Sequence, residues 1–236
     1  MTKLDTGTEL PDNFILTEEF EQIYKLINNT NTNLFITGKA GSGKSTLLEY
    51  FRQNTNKNYA ILAFQGITAI KAKGQTIHSF FKFPPHFITK ENVKELKDKK
   101  VIQNLDTILI DEISMVRADL FDVIDLSLKK NRKNTKPFGG VQIILFGDVM
   151  QIEPIVGADD EIMEKFYPKG PFFFNSNSYS NDDFKQLELT KIFRQSDKTF
   201  IDLLNKIRMN KVDNKDLSLL NKRLVDTESI PNETII

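Results

Sequence analysis

Leu34-Phe35-Ile36-Thr37 runs directly into Gly38-Lys39-Ala40-Gly41-Ser42-Gly43-Lys44-Ser45. An apolar run of strand length thus meets a G-x-x-x-x-G-K-[ST] pattern, and Ser45–Phe51 beyond it carries a helical pattern. Strand, glycine-rich turn and helix in that order make a phosphate cradle. Glycines let the backbone wrap an anion, and successive N–H groups and the helix N-terminus face it. Gly38, Lys39, Ala40, Gly41, Ser42, Gly43, Lys44, Ser45 and Thr46 are therefore the expected nucleotide contacts. Lys44 would reach the β- and γ-phosphates, and the Ser45 hydroxyl would bind Mg²⁺. A glycine-rich turn with a chance Lys-Ser pair is the alternative, and the flanking strand and helix weigh against it.

Outward from this segment the rhythm repeats. Apolar runs at Tyr59–Phe64, Thr107–Ile110, Val141–Phe146 and Gln186–Leu189 are mostly separated by helical patterns, notably Ala118–Leu128 and Lys198–Met209. Upstream, Thr17-Glu18-Glu19-Phe20 supplies an N-cap and early acids, followed by apolar Ile23, Tyr24 and Ile27. Short buried strands joined by helices imply an α/β fold with a mainly parallel central sheet flanked by helices. Residues 1–16 lack periodicity and read as a loose lead-in, and residues 17–210 read as the P-loop domain. Residues 211–236 read as a helix, Lys215–Leu224, followed by polar residues broken by Pro231.

Composition narrows the function classes. The 236 residues carry 32 Lys+Arg against 32 Asp+Glu, so a generic polycation is excluded and any polyanion site must be a local patch. With no Cys there is no disulfide framework, thiol nucleophile or thiolate zinc site, and two His leave little for a His-based metal site. No apolar run approaches the ~18 residues of a membrane span, and Met1–Asp12 is polar. A soluble intracellular protein, cytoplasmic or nucleoid-associated, is expected. The charge is unevenly placed: Gly66–Lys100 holds eight Lys against three acids, and Asp148–Thr190 nine acids against three Lys. One basic face is the pointed reading of this asymmetry, and solvated loops of opposite sign the bland one.

A phosphate cradle needs an acid at the end of a second buried strand, and Ile108-Leu109-Ile110-Asp111-Glu112 provides it. Asp111 would hold the metal with Ser45 through water, and Glu112 would polarise the attacking water. By itself the pair could be a strand end capping a helix; with the upstream glycine loop it points to nucleoside triphosphate hydrolysis. Val141–Phe146 leads to Gly147-Asp148-Val149-Met150-Gln151, where Gln151 could sense a γ-phosphate or be a polar loop residue. Arg194, after the fifth run, offers a cation for transition-state charge or a surface ion pair.

In this order the segments resemble the N-terminal RecA-like domain of superfamily 1B DNA helicases, closest to the Pif-one (petite integration frequency) family, relatives of RecD. The resemblance runs from about Leu16 to Leu224. It rests on Thr76-Ile77-His78-Ser79-Phe80-Phe81, Asp111-Glu112-Ile113-Ser114-Met115, Pro137-Phe138-Gly139-Gly140, Gly147-Asp148-Val149-Met150-Gln151 and Leu189-Thr190-Lys191-Ile192-Phe193-Arg194-Gln195. It implies ATP-driven movement along single-stranded DNA in the 5′ to 3′ direction, with ATP and Mg²⁺. Gln151 would couple nucleotide to DNA, and Arg194 would act on the γ-phosphate. Gly66, Thr76, His78, Ser79 and Phe80 would lie along the strand, whereas core packing is the alternative for Phe80, Phe81 and Phe83. The family's adenine-reading Gln aligns on Phe20, leaving Gln22 as the candidate. The family's Ala-Pro-Thr-Gly loop is Ala63-Phe64-Gln65-Gly66 here, and its Leu-Pro-Pro is Ile152-Glu153-Pro154.

Such a motor needs a second RecA-like domain, and nothing after Arg194 resembles one. The resemblance therefore implies half of a helicase motor, a P-loop ATPase on single-stranded DNA and weakly active alone. Two alternatives stay open: a nucleotide-gated DNA- or partner-binding module without turnover, and a RecD-like subunit of a nuclease complex.

Overall fold

The runs that open the sequence become neighbouring strands whose alternate residues serve two cores. A computed structural model describes Leu10 and residues 14–97, 99–193 and 197–222 of the chain. Contacts divide it into two compact units, Met1–Phe193 and Arg194–Ile236.

The first unit holds a six-stranded sheet of β1 (Asn33–Gly38), β2 (Tyr59–Ala63), β3 (Gln75–Thr76), β4 (Thr107–Asp111), β5 (Gln142–Phe146) and β6 (Phe184–Leu189). The order is β3-β2-β4-β5-β1-β6, and every pairing is parallel. Its helices are α1 (Glu18–Asn29), α2 (Lys44–Asn54), α3 (Gly66–Lys71), α4 (Ile77–Phe81), α5 (Lys99–Gln103), α6 (Ala118–Arg132) and α7 (Asp160–Phe166).

The period of two along a strand sorts the side chains. Leu34 and Ile36 of β1, Leu109 of β4, and Ile144 and Phe146 of β5 share a cluster with α1 and α2 residues such as Phe20, Ile27, Leu47 and Phe51. The intervening Phe35, Ile108, Ile110, Ile143 and Leu145 join Phe121, Ile124 and Leu128 of α6 in the other cluster. The expected helix–sheet–helix layering follows. Central β4 and β5 are buried throughout, which is why they read as unbroken apolar runs. Edge strand β6 is buried only at Phe184 and Leu189, so burial on both faces does not extend to it.

Helix α1 starts as its sequence requires. Thr17 Oγ1 accepts from the Phe20 N–H at 3.2 Å, and Glu18, Glu19 and Glu21 lie against the positive helix end. Helix α6 is buried at eleven of its fifteen positions. Among them, Asp122 accepts from Tyr167 Oη at 2.8 Å and from the Ser178 N–H at 2.8 Å, tying two later segments to the helix.

The second unit contains α8 (Lys198–Arg208) and α9 (Asn214–Asn221). Asp197 and Asp213 cap them, and Lys206 Nζ bonds Asp216 Oδ1 at 2.7 Å. Arg194, the rest of the expected helix beyond Lys222, and most of the expected lead-in lie outside the described residues.

Candidate functional site

Parallel α/β sheets bind ligands beyond the C-terminal ends of their strands, where loops leave the sheet. Adjacency in the order β4-β5-β1 brings three such loops together: Gly38–Gly43 after β1, Asp111–Glu112 at the end of β4, and Gly147–Gln151 after β5. The Gly147 N–H donates to Ile36 O of β1 at 3.2 Å, which closes the group.

The glycine loop has the conformation its composition implies. Gly43, the N-cap of α2, sits at φ 89°, and a Cβ there would lie 2.7 Å from the Phe20 ring. Both the left-handed backbone and the aromatic neighbour thus require glycine. Ser42 is buried, and its hydroxyl has no hydrogen-bond partner among the described residues. A buried polar atom without a partner in an anion-shaped loop fits a missing acceptor or donor on a ligand. Lys44, the first residue of α2, turns its ammonium back onto the loop, donating to Gly38 O at 2.6 Å and Lys39 O at 3.3 Å. Ser45 follows it and is exposed, and Thr46 is half-buried. Lys39 and Ala40 complete the turn, with the Ser42 N–H donating to Lys39 O at 3.1 Å.

Asp111 is 9% exposed at the end of β4. Burial, reinforced by the negative Glu112, raises its pKa from 3.8 to about 6, although the Glu112 N–H and the Lys44 charge pull the other way. Glu112 itself sits in the left-handed region, φ 50° and ψ 50°, at the start of a 3₁₀ turn over Ile113–Met115. For a side chain with a Cβ this is a strained conformation of the kind that concentrates at functional sites. Gln151 is exposed, yet its amide donates to Asp148 Oδ2 at 3.0 Å and its backbone N–H to Asp148 O. Asp148 is fully buried, so it holds Gln151 in place at the loop.

Two aromatic residues also belong to this neighbourhood. The Phe193 N–H donates to Gly41 O at 2.9 Å, and its ring meets Phe20 edge-on at 6.0 Å. Neither is a candidate site residue from the sequence, although Phe20 occupies the position on which the family's adenine-reading Gln aligns and Phe193 stands just before Arg194. Gln22 is exposed on α1, away from the buried Phe20 face.

The strand-contact candidates follow β2 and β3. Gly66 opens α3, and a Cβ there would meet no atom within 4 Å, so packing does not demand a glycine. Thr76 caps α4 by accepting from the Ser79 N–H at 3.2 Å, and Ser79 is exposed. His78 is half-buried against Phe64 at 5.7 Å between ring centres. Burial and the nearby Arg117 charge hold its pKa below the usual value. This favours the neutral imidazole over the cation. Phe81 and Phe83 are core, whereas Phe80 is half-buried. Of the nearby lysines, Lys71 and Lys82 are exposed, while Lys73 reaches to 4.0 Å from Glu49.

Residues 15–218 match the family described as PIF1-like helicase. The chain is 35% identical over 245 residues to the ATP-dependent DNA helicase PIF1 of Saccharomyces cerevisiae, which covers 96% of this chain and 27% of that protein. It is 34% identical over 184 residues to the ATP-dependent DNA helicase PIF1 of Homo sapiens, covering 76% and 28%. Among solved structures it is similar to the Pif1 helicase from Bacteroides in complex with ADP-AlF3 and ssDNA, with TM-score 0.83 and 42% identity over 90% of this chain and 51% of that one. The Pif1 helicase from Candida albicans gives TM-score 0.77 and 32% identity over 90% and 49%. The chain thus spans about a quarter of the length of these curated relatives and about half of the solved chains.

Proposed function

Because the chain belongs to the PIF1-like helicase family, we propose that it is the ATP-binding RecA-like motor domain of a 5′ to 3′ DNA helicase, acting on single-stranded DNA together with a second RecA-like domain. The observation that carries this reading is the meeting of the glycine loop after β1 with a buried Asp111 and a strained Glu112 at the end of β4, the two strands that flank β5.

In this reading Lys44 leaves the loop carbonyls and neutralises the β- and γ-phosphates, while loop N–H groups and the Ser42 hydroxyl cradle them. Mg²⁺, when bound, supplies further neutralisation of phosphate charge, with the Ser45 hydroxyl and Asp111 as protein ligands. Few protein oxygens completed by water and phosphate suit this ion. Glu112 orients and polarises the attacking water. Gln151, braced by Asp148, reads the γ-phosphate, and Arg194 stabilises transition-state charge. Gly66, Thr76, His78, Ser79 and Phe80 line the strand path, and Gln22 is the residue assigned to adenine. Residues 17–210 form the motor domain, and 211–236 lead toward its partner domain. No described helix is long and apolar enough to cross a membrane, and a cytoplasmic or nucleoid-associated location beside DNA goes with this role.

Steady-state hydrolysis of Mg²⁺-ATP by wild type and Glu112→Gln tests the enzymatic half of the proposal. A slow wild-type rate that disappears in Glu112→Gln is expected. Nucleotide binding with no Glu112-dependent turnover, even when strand is added, would replace the motor reading with a nucleotide-gated binding module.

A further inference from the structure

Arg117 is used by none of these roles, yet it ties together the turn after Glu112, the chain downstream of α4 and the chain downstream of Gln151. It follows Glu112 by five residues, across the 3₁₀ turn Ile113–Met115, and is the N-cap residue of α6. The residue is 8% exposed, and each of its three guanidinium nitrogens donates a hydrogen bond. Nε and Nη2 form a fork on Asp119, at 2.9 Å to Oδ1 and 2.8 Å to Oδ2, and Asp119 is wholly buried. The same Asp119 Oδ2 accepts the Ile88 N–H at 2.9 Å, which anchors the chain running on from α4. The remaining arm, Nη1, donates to Asp159 Oδ2 at 2.8 Å. Asp159 stands eight residues after Gln151, on the segment that leaves the γ-phosphate loop.

The two halves of this junction differ in kind. The Arg117–Asp119 fork is buried and bidentate, so it acts as a fixed post. The Arg117–Asp159 arm is a single contact to a carboxylate that is 20% exposed and makes no capping bond to its own helix. It is therefore the contact that can be made or broken without dismantling the core.

We infer that Arg117 is a positioning residue that couples the nucleotide loops to the strand-binding segment, with the Arg117–Asp159 ion pair as its breakable arm. The inference rests on the functional reading above. When the Gln151 loop shifts with nucleotide, Asp159 pulls on Arg117, and the rigid Asp119 fork passes the displacement to Ile88 and the chain behind α4. Coupling through this junction is reciprocal, so strand changes nucleotide affinity by the same factor as nucleotide changes strand affinity.

The test is the affinity of this chain for labelled oligothymidine, measured by anisotropy with and without Mg²⁺, ADP and aluminium fluoride. Calorimetry of the same nucleotide mixture and the thermal midpoint accompany it. Wild type should show a nucleotide-dependent change of at least about fivefold, the low end of typical coupling. Asp159→Ala should bring that ratio to within about twofold of unity while keeping its midpoint and nucleotide affinity, and Asp159→Glu should restore it. A wild-type ratio that survives in folded Asp159→Ala overturns the inference, as does a wild type whose strand affinity ignores nucleotide. The first outcome leaves the proposed function standing, and that function fails separately if wild type binds no nucleotide.

Discussion

Asp111 and Glu112 are adjacent, and each carries its own form of destabilisation. Asp111 keeps a carboxyl where burial disfavours its charge, and Glu112 keeps a Cβ where the backbone disfavours one. Both are burdens that ligand-free packing does not explain and that metal and water chemistry would use. The Asp111 shift has a definite consequence for stability. Its pKa rises from 3.8 to about 6 on folding, so the folded chain holds the extra proton between those values. Stability therefore falls as pH rises through that window, and above it the full penalty remains, at most about 3 kcal/mol. Asp111→Asn keeps an oxygen for the Glu112 N–H and removes the charge. In buffer free of nucleotide and magnesium it should raise the thermal midpoint by several degrees at pH 7 and by nothing near pH 3. An unchanged or lower midpoint at pH 7 would mean that the carboxylate is not strained by its surroundings.

At the scale of elements, α6 is the organiser. Its N-terminal fork joins the segments around Arg117, and Asp122 gathers Tyr167 and Ser178. Removing Arg117 would leave the Asp119 carboxylate buried and uncompensated, which is worth roughly 3–5 kcal/mol of destabilisation. Urea unfolding of Arg117→Ala should show a loss of that order. Adding Asp119→Asn should recover part of it, because the amide oxygen still accepts from Ile88 and carries no charge. If the double variant is no more stable than Arg117→Ala, the buried charge is not what the fork balances. None of this was legible in the sequence, since Arg117 and Asp159 are 42 residues apart and their meeting depends on how the loops close. The strands were legible for the opposite reason. Burial on both faces left β1, β4 and β5 with apolar runs, and the glycine pattern after Leu34–Thr37 fixed what the first of them feeds. Strand β3 escaped notice because two residues carry no periodicity and pair only with the end of β2. Phe193 escaped because its tie to Gly41 is made by a backbone N–H, which any residue carries.

At the scale of the whole molecule, neutrality hides a division of labour between a lysine-rich stretch, Gly66–Lys100, and an acid-rich one, Asp148–Thr190. With Lys73 close to Glu49, the strand-binding charge reduces to a few exposed lysines. Oligothymidine binding should therefore be weak, with a log–log salt slope near −1.5 to −2, from about −0.7 per phosphate contact. Replacing His78 and Ser79 by Ala should reduce the affinity in a variant whose cooperative thermal transition shows that it is still folded. Unchanged affinity and slope in that folded variant would put the strand elsewhere. Arginines supplied from outside a P-loop site are worth roughly 10³–10⁵ in rate. Hydrolysis by this chain alone should accordingly be slow and little stimulated by DNA, and strong stimulation of the isolated chain would contradict its dependence on a partner domain. All of these expectations hang on the phosphate cradle, and calorimetric titration with Mg²⁺-ATP addresses it most directly. Wild type should bind at one site and Lys44→Ala should show no measurable heat, because the ammonium poised on Gly38 O is the charge that crosses to the phosphates. Equal affinity in the two proteins would contradict the account at its centre.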